Sequence, residues 1–257
     1  MAEYLSPKWK SFLEENSFST FKSLWERDDE WFEKPNTGRS KNGWSGVCKI
    51  EIAGKSFFLK KQENFYAYSI KHPLGISVAE REFKNLKMFD DLKVPAMHVV
   101  YFGVRKERGK LQGIIITEDL DKYISFQEVK ERWNKSAPTL SHKRNVLKEC
   151  ALLLRHAHKT GVMHCSLYPK HIFVDKSLAT KNVITEDPVC RFIDMEKATK
   201  AAWGSKKQLR DLETLNRRSI NWNKQDRLYF LMTYLQKEKA DNEVRQFIKR
   251  IKSITKN

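Results

Sequence analysis

Residues 7–34, PKWKSFLEENSFSTFKSLWERDDEWFEK, set Trp9, Phe12 and Leu13, then Phe21, Leu24, Trp25 and Trp31, at mixed spacings of three and four. Such spacing gathers side chains on one side of a helix, so it predicts two short amphipathic helices. Their polar sides carry many acids, which directs the aromatics onto the body of the domain and not onto a membrane surface. Past PNTGRSKNGWSGVCKIEI the period becomes two: Val47, Lys49 and Glu51 alternate with Cys48, Ile50 and Ile52, Gly54 gives a turn, and SFFLKK returns. This pattern predicts an antiparallel hairpin. A helix is expected from about Val78 to Leu92, with Phe83, Leu86 and Phe89 on one side and Pro95 as its breaker. MHVVYFGV and LQGIIIT, joined by the polar turn KERGK, predict a second hairpin.

Helical periodicity takes over afterwards. Val146, Leu147, Cys150, Leu153, Leu154 and Ala157 keep helical spacing, with Ser141 as the expected N-cap and Gly161 where a left-handed C-terminal residue belongs. HIFVD and VCRFID predict two short strands joined by a polar connection, and residues 206–257 two or three further helices ending in EVRQFIKRIKSITKN. The expected class is therefore α+β: a helical extension over 1–36, a small antiparallel-sheet lobe over 37–121, and a larger helical lobe over 122–257. No internal repeat is present.

Composition narrows the function classes. Hydrophobic residues at 40% and aromatics at 12% disfavour disorder, and 257 residues suffice for one globular unit or two unequal lobes. Cys48, Cys150, Cys165 and Cys190 are far apart and form no CxxC pair, which argues against a disulfide framework or a zinc site and for reduced thiols in the cytoplasm. The start MAEYLSPKWK has no signal-peptide pattern, and no apolar run approaches the ~20 residues that span a bilayer. Forty-nine Lys and Arg against 32 Asp and Glu give a formal charge of +17, which favours an anionic partner: nucleic acid, lipid headgroups, or a phosphorylated or carboxylated substrate. The basic residues are dispersed along the chain, so charge alone does not choose.

PNTGRS…GWSGV, FFLKKQ, AEREFKNL, LYPKHIFVD, RFIDMEKA and RDLETLNRRS, in that order and spacing, resemble the bacterial lipopolysaccharide kinase family, the Kdo/WaaP group and especially its InaA-like branch. The resemblance spans roughly residues 20 to 235 and implies a bilobal protein-kinase-like fold using ATP and Mg²⁺. Phosphoryl transfer is mostly positioning and charge neutralisation, and the resemblance supplies parts for both. In GWSGV, Gly43, Ser45 and Gly46 would let a hairpin backbone approach phosphates, and Val47 would cover the adenine. Lys60 would hold the α- and β-phosphates, favoured over Lys61 by its alternation with Phe58. Glu82 would orient that lysine, with Glu80 as the fallback. Asp194, closing the strand Phe192-Ile193, is the metal-binding aspartate by resemblance, and His171 stands where typical kinases place a second metal ligand. By the same resemblance Lys170 would fall near the transferred phosphate, either to stabilise its charge or simply to solvate the loop.

Ser166 breaks the pattern. His164-Cys165-Ser166 occupies the place of the kinase His-Arg-Asp, and a serine hydroxyl is no general base near neutral pH. Either transfer proceeds without a base, or His164, His171 or Asp175 takes the proton, or the chain is a nucleotide-binding pseudokinase with a scaffold role. The family implies an anionic glycan acceptor, the lipopolysaccharide core, reached by a cytoplasmic protein at the inner face of the inner membrane. No motif for specific nucleic-acid readout is present.

Overall fold

The computed structural model describes residues 2–37, 43–69, 72–180, 187–219 and 222–254. Gly38 to Ser40 of PNTGRS, and residues 181–186 of the connection before VCRFID, lie outside the described residues. The chain divides into two compact units, Met1–Lys87 with Met97–Asp119, and Met88–Ala96 with Leu120–Asn257.

The first unit runs β1 (Ala2–Leu5), α1 (Lys10–Glu15), α2 (Phe21–Trp25), β2 (Trp31–Asn36), β3 (Trp44–Ile52), β4 (Lys55–Glu63), β5 (Tyr66–Ser69), β6 (His72–Ser77), α3 (Val78–Asp91), β7 (Val99–Glu107) and β8 (Lys110–Glu118). Six strands form an antiparallel sheet in the order β1-β7-β8-β4-β3-β2. Its two sides carry different cores because strand side chains alternate. Cys48, Ile50 and Ile52 of β3 and Phe57 and Leu59 of β4 pack with Leu13, Phe21 and Leu24 of α1 and α2. Helices α1 and α2 thus cover the sheet, as their periodicity predicts, whereas Trp31, expected in the second helix, opens the exposed strand β2, because its segment pairs with β3. Gly103 of β7 lies under this layer, where a Cβ would stand 2.7 Å from the Phe21 ring. On the other side Ala79 and Phe83 of α3 meet Phe102 and Ile115, with the Phe83 and Phe102 rings stacked at 4.1 Å and 3°.

Both central hairpins form where the sequence predicts them, β3-β4 from its period of two and β7-β8 from its two apolar runs. The outer strands β1 and β2 and the small β5-β6 hairpin are additions that periodicity does not show. β2 is exposed along its whole length and β1 is exposed or half-buried, so neither has a buried side to impress alternation on the sequence.

In the second unit β9 (Tyr123–Ser125), α4 (Phe126–Lys135), α5 (Leu140–Lys159), β10 (Val162–Met163), β11 (Ile172–Asp175), α6 (Lys176–Thr180), β12 (Cys190–Phe192), β13 (Thr199–Lys200), α7 (Lys206–Arg218), α8 (Lys224–Leu235) and α9 (Asn242–Ile254) follow in order. HIFVD and VCRFID pair as β11 and β12, with β9 on the far side of β11. The N-cap of α5 is Thr139, not Ser141: the Thr139 hydroxyl accepts the His142 N–H at 3.2 Å. Gly161, at φ +83°, ends that helix as expected. Among the described residues no helix is long and apolar enough to cross a membrane.

Candidate active site

The hairpin of β3 and β4 sets Val47 directly opposite Lys60. Alternation then sends Lys60 and Lys61 to opposite sides of the sheet. Lys60 meets α3, where its Nζ lies 2.7 Å from Oε2 of Glu82, a residue only 3% exposed. Lys61 turns under α2 and donates to the carbonyls of Trp25 at 2.9 Å and Arg27 at 2.6 Å. Burial holds its pKa below the ordinary lysine value. Glu80 pairs with Lys84 one turn along α3, at 2.6 Å. The geometry thus gives the two lysines, and the two glutamates, different partners.

The glycines of GWSGV have close neighbours within the chain. A Cβ on Gly43 would lie 2.3 Å from the Asn64 carbonyl oxygen, and one on Gly46 would lie 2.6 Å from the Trp31 ring. Ser45 Oγ accepts from Gln62 Nε2 at 3.2 Å.

In the second unit the segment His164-Cys165-Ser166 leaves β10 and is pinned from α7. Asp211, 1% exposed, accepts the N–H of His164 and the N–H of Cys165, each at 2.8 Å, and faces His158 Nε2 at 3.3 Å. Cys165 is thereby held at φ +59°, a left-handed conformation that a side chain disfavours. Its thiol is pushed up to about 11, chiefly by burial. Sequence reasoning quoted RDLETL but gave Asp211 no role. The available signal was an acid within the buried stripe of α7, beside Gln208, Leu209, Leu212 and Leu215.

His164 is 2% exposed, and its Nε2–H donates to the Ile193 carbonyl at 3.0 Å, while Nδ1 has no partner among the described residues. Burial lowers its pKa. The ring stacks on His171 at 5.6 Å and 18°. His171 Nδ1 lies 2.7 Å from the Ser166 carbonyl, an acceptor, so Nδ1 carries the hydrogen and Nε2 presents its lone pair. That lone pair faces Asp194 Oδ2 at 3.3 Å. Burial, above all, pushes the His171 pKa down to about 4, so near neutral pH two acceptors face each other. Such an arrangement calls for a cation, and a neutral imidazole with a carboxylate is a sound pair of metal ligands. Asp194 sits at φ +60°, its side chain 39% exposed, closing the strand end.

Lys170 is exposed in the 3₁₀ turn Pro169–His171, and Ser166 is half-buried. Asp175 is 6% exposed and occupied: its Oδ1 accepts the Ser177 N–H at 2.7 Å and the Ser177 hydroxyl at 2.5 Å. No group of three or more His, Cys, Asp or Glu side chains suited to a metal occurs among the described residues, so His171 and Asp194 stand as a pair.

A sheet-bound lysine fixed by a helix glutamate, and an aspartate closing a strand beside a pinned loop, are parts of a kinase-like fold. The solved structure titled "WaaP in complex with acyl carrier protein" matches this fold with a TM-score of 0.70, covering 99% of each chain at 20% identity. The model of the Lipopolysaccharide kinase (Kdo/WaaP) family matches residues 22–234, and the chain belongs to that family. Protein InaA of Escherichia coli strain K12 is 27% identical over 157 residues, which cover 61% of this chain and 72% of InaA. The lipopolysaccharide core heptose(I) kinase WaaP of Escherichia coli is 29% identical over 158 residues, covering 59% of this chain and 58% of that kinase.

Proposed function

We propose that this chain is an ATP-dependent kinase that phosphorylates a sugar hydroxyl of the lipopolysaccharide inner core, heptose or Kdo, or of a related glycan. The observation that carries the reading is the Lys60–Glu82 pair at 2.7 Å, two charges 22 residues apart, one of them on an almost fully buried side chain. Holding the Glu82 carboxylate out of water is costly, and its pairing with the half-buried Lys60 fixes the direction of that ammonium group. In this reading Glu82 aims Lys60 at the α- and β-phosphates, and the Gly43–Val47 stretch at the start of β3 covers the nucleotide. Asp194 and His171 suit a divalent ion whose other ligands come from phosphate oxygens and water; when bound, that ion neutralises charge on the transferring group.

His164 serves as a positioning residue, tying the pinned loop to Ile193 next to Asp194. Its burial, and the bonds that occupy Asp175, leave neither with an open path to an acceptor proton. Transfer then relies on positioning, with Lys170 near the transferred phosphate. Removing a general base costs about 10² to 10⁴-fold, so a slow enzyme is expected. The same observation favours a second reading, a nucleotide-binding pseudokinase with a scaffold role. A place at the cytoplasmic face of the inner membrane suits both the acceptor and the charge of +17.

Incubation of the protein and its Asp194→Ala variant with γ-labelled ATP, magnesium and extracted lipopolysaccharide core tests the choice. Label on sugar that depends on Asp194 is the expected result. ATP binding without transfer, unchanged by Ser166→Asp, would favour the scaffold instead.

A further inference from the structure

The segment Lys206–Arg218 is rich in basic residues, and its helical form as α7 sets them on one side. Lys206, Lys207, Arg210, Arg217 and Arg218 are exposed, whereas the helix's two acids, Asp211 and Glu213, are buried. Glu213 takes Arg217, at 2.9 Å, and Asp211 takes the loop N–H groups. Lys207, Arg210 and Arg218 form no ion pair among the described residues. Like charges at neighbouring helical positions repel, so this arrangement is unfavourable until an anion arrives.

The cations also have a direction. Lys207, four residues before Asp211, and Arg218, seven after it, lie on the exposed edge of the helix next to it. Asp211 touches the His164-Cys165 backbone, so the neighbours beside it on that edge border the same loop. The Arg218 guanidinium lies 5.5 Å from the Tyr168 ring centre, two residues beyond Ser166. Lys207 and Arg210 stand near enough to Cys165 to oppose the rise in its pKa. A basic row that ends at the Ser166 loop fits a ligand presented to that loop better than a general electrostatic coat.

We infer that Lys207, Arg210 and Arg218 form the acceptor-binding surface, gripping phosphate and carboxylate groups of a polyanionic glycan so that its hydroxyl meets the loop at Ser166. The inference rests on the kinase reading for the reaction but on α7 alone for the binding. It also gives the missing carboxylate a physical counterpart: where no base orients the hydroxyl, ionic contacts elsewhere on the acceptor do so.

The test measures binding of a deacylated, phosphate- and Kdo-bearing core oligosaccharide by calorimetry, with MgATP binding measured in parallel. The Lys207→Gln/Arg210→Gln/Arg218→Gln variant should lose on the order of tenfold in oligosaccharide affinity for each contact removed, with MgATP affinity unchanged and Tm equal or raised as the mutual repulsion is relieved. Arg217→Gln, whose side chain belongs to Glu213, should bind like the parent. Should the triple variant melt early, Lys207→Gln and Arg210→Gln, at exposed positions, give the same comparison singly. Equal oligosaccharide affinity in parent and variants, or no binding by the parent, would overturn the inference. Oligosaccharide binding that depends on these cations in a protein that does not bind MgATP would uphold the surface and remove the kinase reading.

Discussion

Lys60 and Lys61 are adjacent and identical in type, yet the strand gives them opposite work. Lys60→Ala should remove most nucleotide affinity, because Glu82 then has no ammonium to aim, and should also lower stability, because the buried Glu82 carboxylate loses that ion pair. Lys61→Ala should spare nucleotide affinity and cost about 1–3 kcal/mol in stability by leaving the Trp25 and Arg27 carbonyls without their donor. Urea unfolding and ATP titration of both variants check the exchange; a Lys61 variant as stable as the parent would contradict it. Alternation with Phe58 made the direction of Lys60 legible in the sequence. The use of Lys61 was not, because its partners are backbone carbonyls, which every residue carries. His171 yields a pH prediction. With a folded pKa of about 4 against 6.5 unfolded, the unfolded chain binds more protons between those values. The contribution of His171 is therefore complete above pH 6.5 and is lost as pH falls toward 4, by up to about 3 kcal/mol. His171→Asn should flatten that part of the stability profile, and an identical profile would show that the ring does not stay neutral in the fold.

Helix α7 shows how one element joins fold to chemistry. Its buried stripe carries Asp211 to the His164-Cys165 backbone, and its exposed side carries the row of cations. Asp211→Ala would strand two N–H groups and release Cys165 from its left-handed conformation. A loss of about 2–5 kcal/mol is expected, with nucleotide turnover falling further than stability alone explains. Chemical denaturation and turnover of the surviving folded protein measure the two losses, and a variant that matches the parent in both would refute the pinning role. Helices and inner strands were legible because each buries one side, which leaves a period in the sequence. Boundaries were less so: the Thr139 and Ser141 hydroxyls are both competent caps, and only the start of α5 selects Thr139. A side chain that acts on backbone N–H groups leaves no partner residue to find, which is why Asp211 escaped notice.

Taken whole, the chain follows the order its motifs announced, from glycine-bearing hairpin to lysine strand, glutamate helix, pinned loop and strand-closing aspartate. The family match over residues 22–234 bears out the resemblance drawn from those motifs. The fold adds what order cannot express: the facing acceptors of His171 and Asp194, and the segregation of positive charge onto one helix side. Gripping a magnesium-bound nucleotide is the act on which the proposed chemistry depends, and calorimetric titration with ATP in the presence and absence of magnesium measures it without reference to any acceptor. Metal-dependent binding by the parent, weakened at least about tenfold in both Lys60→Ala and Asp194→Ala, is the predicted result. No binding, or equal binding by the parent and both variants, would contradict it.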